Sequence, residues 1–163
     1  MSRAIPLPHA AVRPDTLRAG VVKVRSTTLS VPTSQRLELI DLSDRIRSFV
    51  AASGVAEGHA QIWSLHTTAG VFINGWQEAL LADVKAAFAR LVPQNCYYRH
   101  NDPALSDCDR RNGDAHLRNI IVGQNVLVPL ARGGLVLGTW QRVILAEFDG
   151  PNERRVFLQA FGI

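Results

Sequence analysis

From Val21 the chain alternates, with Val22, Val24 and Ser26 set against Lys23, Arg25 and Thr27, then Leu29 and Val31 before Pro32. A period of two predicts a half-buried strand, and proline closes it because it cannot donate to a ladder. Arg36 to Leu42 alternates again and predicts a second strand. Ser43 then stands as N-cap to a helix whose Asp44, Ile46, Phe49 and Val50 share one face, with Gly54 as its stop. His59 to Asn74 is mostly apolar and predicts one strand, bent at Gly70. Residues 77–91 place Leu80, Leu81, Val84, Ala87, Phe88 and Leu91 at a spacing near 3.6 and predict a helix ended by Pro93.

Asn95 to Arg111 is a long polar loop, a length that in a compact domain usually carries function. A short helix from Asp114 to Val122 follows it. Three strands close the chain: Asn125–Leu130, Leu135–Phe148 and Arg154–Phe161. Their turns are Arg132-Gly133-Gly134 and Asp149-Gly150-Pro151, with Gly138 marking a bend in the long middle strand. The order β-β-α-β-α-α-β-β-β predicts an α+β domain. Its sheet is mainly antiparallel or mixed, with the helices packed on one face. Residues 1–20 have no clear period and are expected to form an extended tail, leaving residues 21–163 as one domain.

Composition adds bounds. With 163 residues, 47% hydrophobic and 20% charged, the chain is ordinary globular protein with room for a single core. No apolar run reaches the roughly 18–20 residues that span a bilayer, so no membrane partner and a cytoplasmic location are expected. Cys96 and Cys108 are then read as reduced thiols. Of the 18 basic residues 16 are arginine, which favours bidentate contacts to phosphate or carboxylate. They are scattered rather than clustered, and a net charge of +4 does not make a nucleic-acid partner.

Three constellations can carry chemistry. Ser64-Leu65-His66-Thr67-Thr68-Ala69-Gly70 delivers an imidazole and two hydroxyls to a small-residue bend, a set suited to phosphate or carboxylate. The same residues also fit a strand end with a core histidine. In the polar loop and the helix after it, His100 and His116 can converge on a metal or an anion beside Asn112 and Asp114, or can be two unrelated surface histidines. Cys96-x3-His100-x7-Cys108-x7-His116 holds zinc-type ligands at spacings that match no standard zinc motif. In the third, Thr139, Gln141, Val143, Leu145 and Glu147 fall on one strand face. A carboxylate in that line is either partly buried and paired, or at an open edge.

Together these motifs resemble the YjbQ family: His66-Thr67-Thr68-Ala69 with Ile73-Asn74, Tyr98-x-His100, Asn112-x-Asp114-Ala115-His116-Leu117, and Gly138-Thr139-Trp140-Gln141 with Glu147. The resemblance runs from about Val21 to the C-terminus. It implies a compact homotrimer with sites near subunit boundaries and a secondary thiamine-phosphate synthase activity. That activity joins a hydroxymethylpyrimidine diphosphate to a thiazole phosphate and releases pyrophosphate. On this reading the partner is a phosphorylated small molecule. His66, His100, His116 and Glu147 would be catalytic, and Thr67, Thr68, Asn74, Asn112, Arg118, Thr139 and Gln141 would hold substrate. A divalent metal, Mg or Zn, would sit on His66, His100 and His116. The alternative is a non-catalytic trimer that binds a metal or an anion. The sequence departs from the family pattern after Asn74, where Gly75-Trp76-Gln77 replaces an expected acidic residue, and at Arg118-Asn119-Ile120-Ile121.

Overall fold

The computed structural model describes residues 18–163. All but the last three residues of the expected tail lie outside that range. Two antiparallel sheets form the frame. The larger has five strands in the order β1-β8-β3-β5-β6: β1 (Lys23–Pro32), β8 (Glu153–Gly162), β3 (Gly58–Ser64), β5 (Asn125–Ala131) and β6 (Gly134–Leu135). The smaller has three, β2 (Glu38–Asp41), β7 (Arg142–Glu147) and β4 (Ala69–Asn74), in the order β2-β7-β4. The helices are α1 (Ser43–Ser53), α2 (Glu78–Leu91) and α3 (Gly113–Val122). The expected α+β single domain is therefore observed, with two sheets in place of one.

Strand β7 organises the layers because both of its faces are buried. Val143 and Leu145 face a core shared with Val156, Leu158 and Ala160 of β8, Ala60 and Ile62 of β3, and Ile46 and Val50 of α1. Ile144 and Ala146, with Phe148 just beyond the strand, face a second core with Phe88 of α2 and Ala115 of α3. The order is thus α2 and α3, small sheet, large sheet, with α1 entering the core between the sheets rather than joining the other helices. Each layer is held by non-directional burial of apolar area, at about 25 cal/mol per Å².

The expected single strand from His59 to Asn74 is two strands, β3 in one sheet and β4 in the other, and residues 65–68 cross between them. The bend lies before Gly70, which is inside β4. A Cβ at Gly70 would lie 2.3 Å from the Gly123 carbonyl oxygen and 2.4 Å from Asn119 Oδ1, so the glycine serves close approach of α3 instead of a turn. The expected long strand from Leu135 to Phe148 is also divided, into β6 and β7. Ser43 is not the cap of α1: Leu42 holds that position, and the Ser43 hydroxyl accepts from the Val143 amide at 2.9 Å. Arg132 and Gly133, both with positive φ, form the two-residue β5–β6 turn as expected.

Candidate functional site

The crossover at residues 65–68 and the start of β8 meet at one end of the two sheets. The Leu65 amide donates to the Arg155 carbonyl at 3.1 Å, and the Arg155 amide donates to His66 Nε2 at 2.8 Å. Arg154 belongs to the inward-facing series Arg154, Val156, Leu158 and Ala160 of β8, and Glu147 to the inward series of β7. The two therefore meet between the sheets. Arg154 Nε and Nη2 donate to the two Glu147 oxygens at 2.5 Å each, and Nη2 also donates to Thr68 Oγ1 at 3.1 Å. Glu147 is fully buried; its Oε2 also accepts from Thr33 Oγ1 and its Oε1 from the Asp149 amide. So complete a set of donors is what a buried carboxylate requires.

Asp149 extends this network toward the polar loop. Its carboxylate accepts from Arg36 Nη1 at 3.2 Å, Arg110 Nε at 2.8 Å and Asn112 Nδ2 at 2.7 Å. A carboxylate only accepts here, so the Asn112 amide nitrogen must face it and Asn112 Oδ1 must face the other way. That oxygen lies 3.1 Å from His100 Nε2, which places the histidine proton on Nε2 and leaves Nδ1 bare when the ring is neutral. The His100 and His116 rings meet edge to face, with centroids 4.9 Å apart. Burial, then the neighbouring His100, holds His116 below the ordinary histidine value, against the pull of Asp149. Both rings line a cavity of about 340 Å³ with Tyr98, Arg99, Gly113 and Leu117. A larger cavity of about 490 Å³ between the two ends of the described chain contains none of these groups.

The network holds three buried carboxylates, Glu147, Asp149 and Asp114, and four guanidinium groups, Arg36, Arg110, Arg118 and Arg154. One positive charge remains in excess, with Arg99 and Arg155 exposed beside it. Exposed Asp109 and Glu153 stand next to Arg110 and Arg154 in the chain, so the excess positive charge is a property of the buried network.

The expected site residues fall into separate groups. His100, His116 and Asn112 form one constellation, and His66, Thr68 and Glu147 form another, joined to the first through the Asp149 backbone amide. No hydrogen bond or ring contact links His66 to the other two histidines within the chain. Thr67 is exposed beside His66. Arg118 is buried, with Nε and Nη2 donating to the Val92 carbonyl at the end of α2 and Nη1 3.4 Å from Asp114. Its donors therefore serve the fold, not a phosphate. Asn74 accepts from the Gly75 amide, and the Gln141 side chain accepts from the Gly138 amide, each closing its own exposed turn. Thr139 and Gln141 precede β7, so the expected alternation with Glu147 begins only at Arg142.

Sequence reasoning missed Arg154, Arg36 and Asp149 as partners in this network. Arg154 had a signal: it occupies an inward position of a strand whose other inward residues are Val156, Leu158 and Ala160. Arg36 and Asp149 had none, because their meeting depends on how two loops stack.

Nor do the histidines fit the expected metal set within one chain. His66 Nε2 already accepts a backbone N–H, and its Nδ1 lies 3.4 Å from a guanidinium, which repels a cation. Among the described residues no three His, Cys, Asp or Glu side chains gather to hold an ion. Cys96 and Cys108 are free, as expected of reduced thiols. Among the described residues no helix is long and apolar enough to cross a membrane.

Comparison with known proteins agrees with this fold. A UPF0047 protein of Methanothermobacter thermautotrophicus is 35% identical over 147 residues, covering 90% of this chain and 99% of its own. UPF0047 protein YugU of Bacillus subtilis is 34% identical over 138 residues, covering 83% and 98%. A crystal structure of a YbjQ-like protein of unknown function from Sulfolobus solfataricus superposes with a TM-score of 0.82 at 30% identity, covering 88% of this chain and 100% of that one. A YjbQ/UPF0047 protein of Clostridium acetobutylicum gives 0.73 at 30% identity, covering 81% and 97%. Residues 27–163 match the family described as UPF0047 protein YjbQ-like, and the chain belongs to that family.

Proposed function

We propose that the chain acts on a phosphorylated small molecule at the cavity lined by His100 and His116. The observation that supports this most is the line Asp149–Asn112–His100, which fixes one imidazole as a proton acceptor at Nδ1 beside a second imidazole held neutral by burial. Two oriented imidazoles, the His116 ring held below its ordinary value by burial, with an arginine lining the same 340 Å³ cavity, suit proton transfer next to an anion.

The reaction we assign is of the thiamine-phosphate synthase type. The thiazole nitrogen of a thiazole phosphate attacks the methylene carbon of a hydroxymethylpyrimidine diphosphate, forming a C–N bond. The C–O bond to the diphosphate breaks, and pyrophosphate leaves with the electron pair. The neutral His116 ring can donate its one N–H as a hydrogen bond to the departing oxygens, and Arg99 offsets their charge. A divalent cation enters this proposal as Mg²⁺ carried on the diphosphate, the mode in which Mg²⁺ keeps its waters and needs few protein ligands.

The outer face of the large sheet, which no described element covers, supports assembly into the expected homotrimer. It carries Trp63 and Leu127, which are 40% and 52% exposed, with Phe157 between them and β1.

The test is product formation from the two phosphorylated substrates by wild type, His100→Ala and His116→Ala, with Mg²⁺ and with chelator. A fall of about a hundredfold or more in both variants supports the reading. Equal rates in all three overturn it and leave a binding protein. Light scattering on the same samples reads the subunit number, and a monomer overturns the trimer.

A further inference from the structure

We infer that His66 and Arg154 form a two-donor clamp for a single anionic oxygen, at a subsite distinct from the His100–His116 cavity. The argument starts from a fixed proton. The amide of Arg155 carries its hydrogen on the backbone and points it at His66 Nε2, 2.8 Å away. That nitrogen must accept, so in the neutral ring the hydrogen sits on Nδ1. The hydrogen-bond-range contact of Nδ1 among the described residues is Arg154 Nη1 at 3.4 Å, and a guanidinium nitrogen only donates. Two donors therefore face one another with no acceptor between them.

The other donors of Arg154 are occupied. Nε and Nη2 hold Glu147, and Nη2 also reaches Thr68 Oγ1. Nη1 alone lacks an acceptor once the His66 tautomer is fixed, on a side chain only 7% exposed. An oxygen that bridges Nη1 and Nδ1 from one side gives both donors the acceptor they lack. His66 is half-buried and Thr67 beside it is exposed, so the imidazole is in part open to solvent. Burial and the charges of Arg154 and Arg155 keep the ring neutral against Glu147, which preserves the Nδ1–H tautomer.

The ligand chemistry is a phosphate oxygen. The clamp supplies a charged donor and a neutral donor to one oxygen, and Arg155 adds positive charge at the rim. The phosphate identity rests on the function proposed above, whereas the donor pair is read from geometry alone. In this role His66 is a binding donor at Nδ1, and neither a general base nor a metal ligand at Nε2.

The experiment is side-chain nitrogen NMR on the uniformly labelled protein, titrated with inorganic phosphate against sodium chloride at matched ionic strength. The free protein is expected to show His66 protonated at Nδ1 and bare at Nε2, a result that needs no variant and no turnover. Phosphate is expected to shift His66 Nδ1 and the Arg154 side chain, and chloride to leave both in place. His66→Ala weakens phosphate binding about tenfold or more, the scale of one charge-assisted hydrogen bond. His66→Asn, whose amide nitrogen falls near the Nδ1 position, retains affinity within about threefold, since the donor is kept. An Nε2–H tautomer, equal shifts with chloride, or unchanged affinity in His66→Ala overturns the clamp. None of these readings depends on synthase turnover, so the two proposals fail separately.

Discussion

Arg154 of β8 grips Glu147 of β7 with two parallel donors, and this contact joins the large sheet to the small one at the end where His66 crosses between them. Neither residue has a solvent alternative, since Glu147 is fully buried and Arg154 is 6% exposed. Such a pair fixes the relative position of two layers more than it adds net stability, because both charges lost their hydration to reach it.

Removing one partner should therefore cost far more than replacing both. Glu147→Ala is expected to lower stability by about 3–5 kcal/mol, since it strands a buried guanidinium. The double variant Glu147→Leu with Arg154→Met should recover most of that loss. Urea unfolding of the three proteins checks this, and a double variant no better than the single one would show that the pair itself holds the layers together.

Close approach of α3 to β4 sets a second expectation. Gly70→Ala puts a methyl group against the Gly123 carbonyl and Asn119 Oδ1, where neither backbone nor a buried amide can move freely. A loss of about 1–3 kcal/mol is expected, the scale of overpacking in a filled core. Gly133→Ala meets no atom within 4 Å but is strained at φ +75, so it should cost roughly 1 kcal/mol, the milder change. Melting temperatures of the two variants rank them directly.

Stability should fall on mild acidification. His66 and His116 are both held below the ordinary value of 6.5, in each case by burial first. Below about pH 6.5 the unfolded chain binds protons at these rings that the folded chain refuses, so unfolding is favoured as pH drops. The loss accumulates from about pH 6.5 down to the lowered folded values and then levels off; above pH 6.5 these rings give no slope. Denaturation midpoints at pH 7.5 and pH 5.5 measure it. His116→Gln should flatten the difference, and an unchanged slope in that variant would show that His116 is not held neutral.

Asn112 transmits the Asp149 contact to His100, so its loss should act on the chemistry at His100. Asn112→Ala frees the His100 tautomer and is expected to lower the turnover proposed above by roughly tenfold to a hundredfold. Because Asn112 is a positioning residue, the pH profile should shift along with the rate, and a rate loss with an unmoved profile would mark it as merely structural. Asn112→Asp adds a fourth buried carboxylate beside Asp149; repulsion and burial favour its protonated form in the folded chain, so its expected mark is a loss of stability that grows as pH rises and is relieved on acidification.

The outer face of the large sheet gives the last expectation. On the trimer proposed above, Trp63→Glu or Leu127→Glu places a charge in the apolar patch and should reduce the subunit number read by light scattering, with little change in the circular dichroism of the subunit.

Local pattern was enough for much of the fold. The strand over Val24 to Val31, the 3.6 spacing of Leu81, Val84 and Phe88 and the turn at Arg132-Gly133 each belong to one element and are found there; the half-burial expected of that strand is not, since Val22 and Val24 are exposed and Val31 alone in β1 is buried. The motif residues His100, Asn112 and His116 were legible for the same reason: they lie within 17 residues of sequence, on a loop and the helix that follows it. Tertiary structure decided the rest. Apolar residues recur on both sides of His66-Thr67-Thr68 within His59–Asn74, because β3 and β4 bury their inward residues in a core that both sheets share; only the layering shows that the chain changes sheets at His66. Arg118 resembles a phosphate ligand in sequence and is consumed by the Val92 carbonyl in space. Arg154, Arg36 and Asp149 acquire meaning only through partners 7 to 113 residues away, since charge pairing inside a fold depends on distance in space and not along the chain.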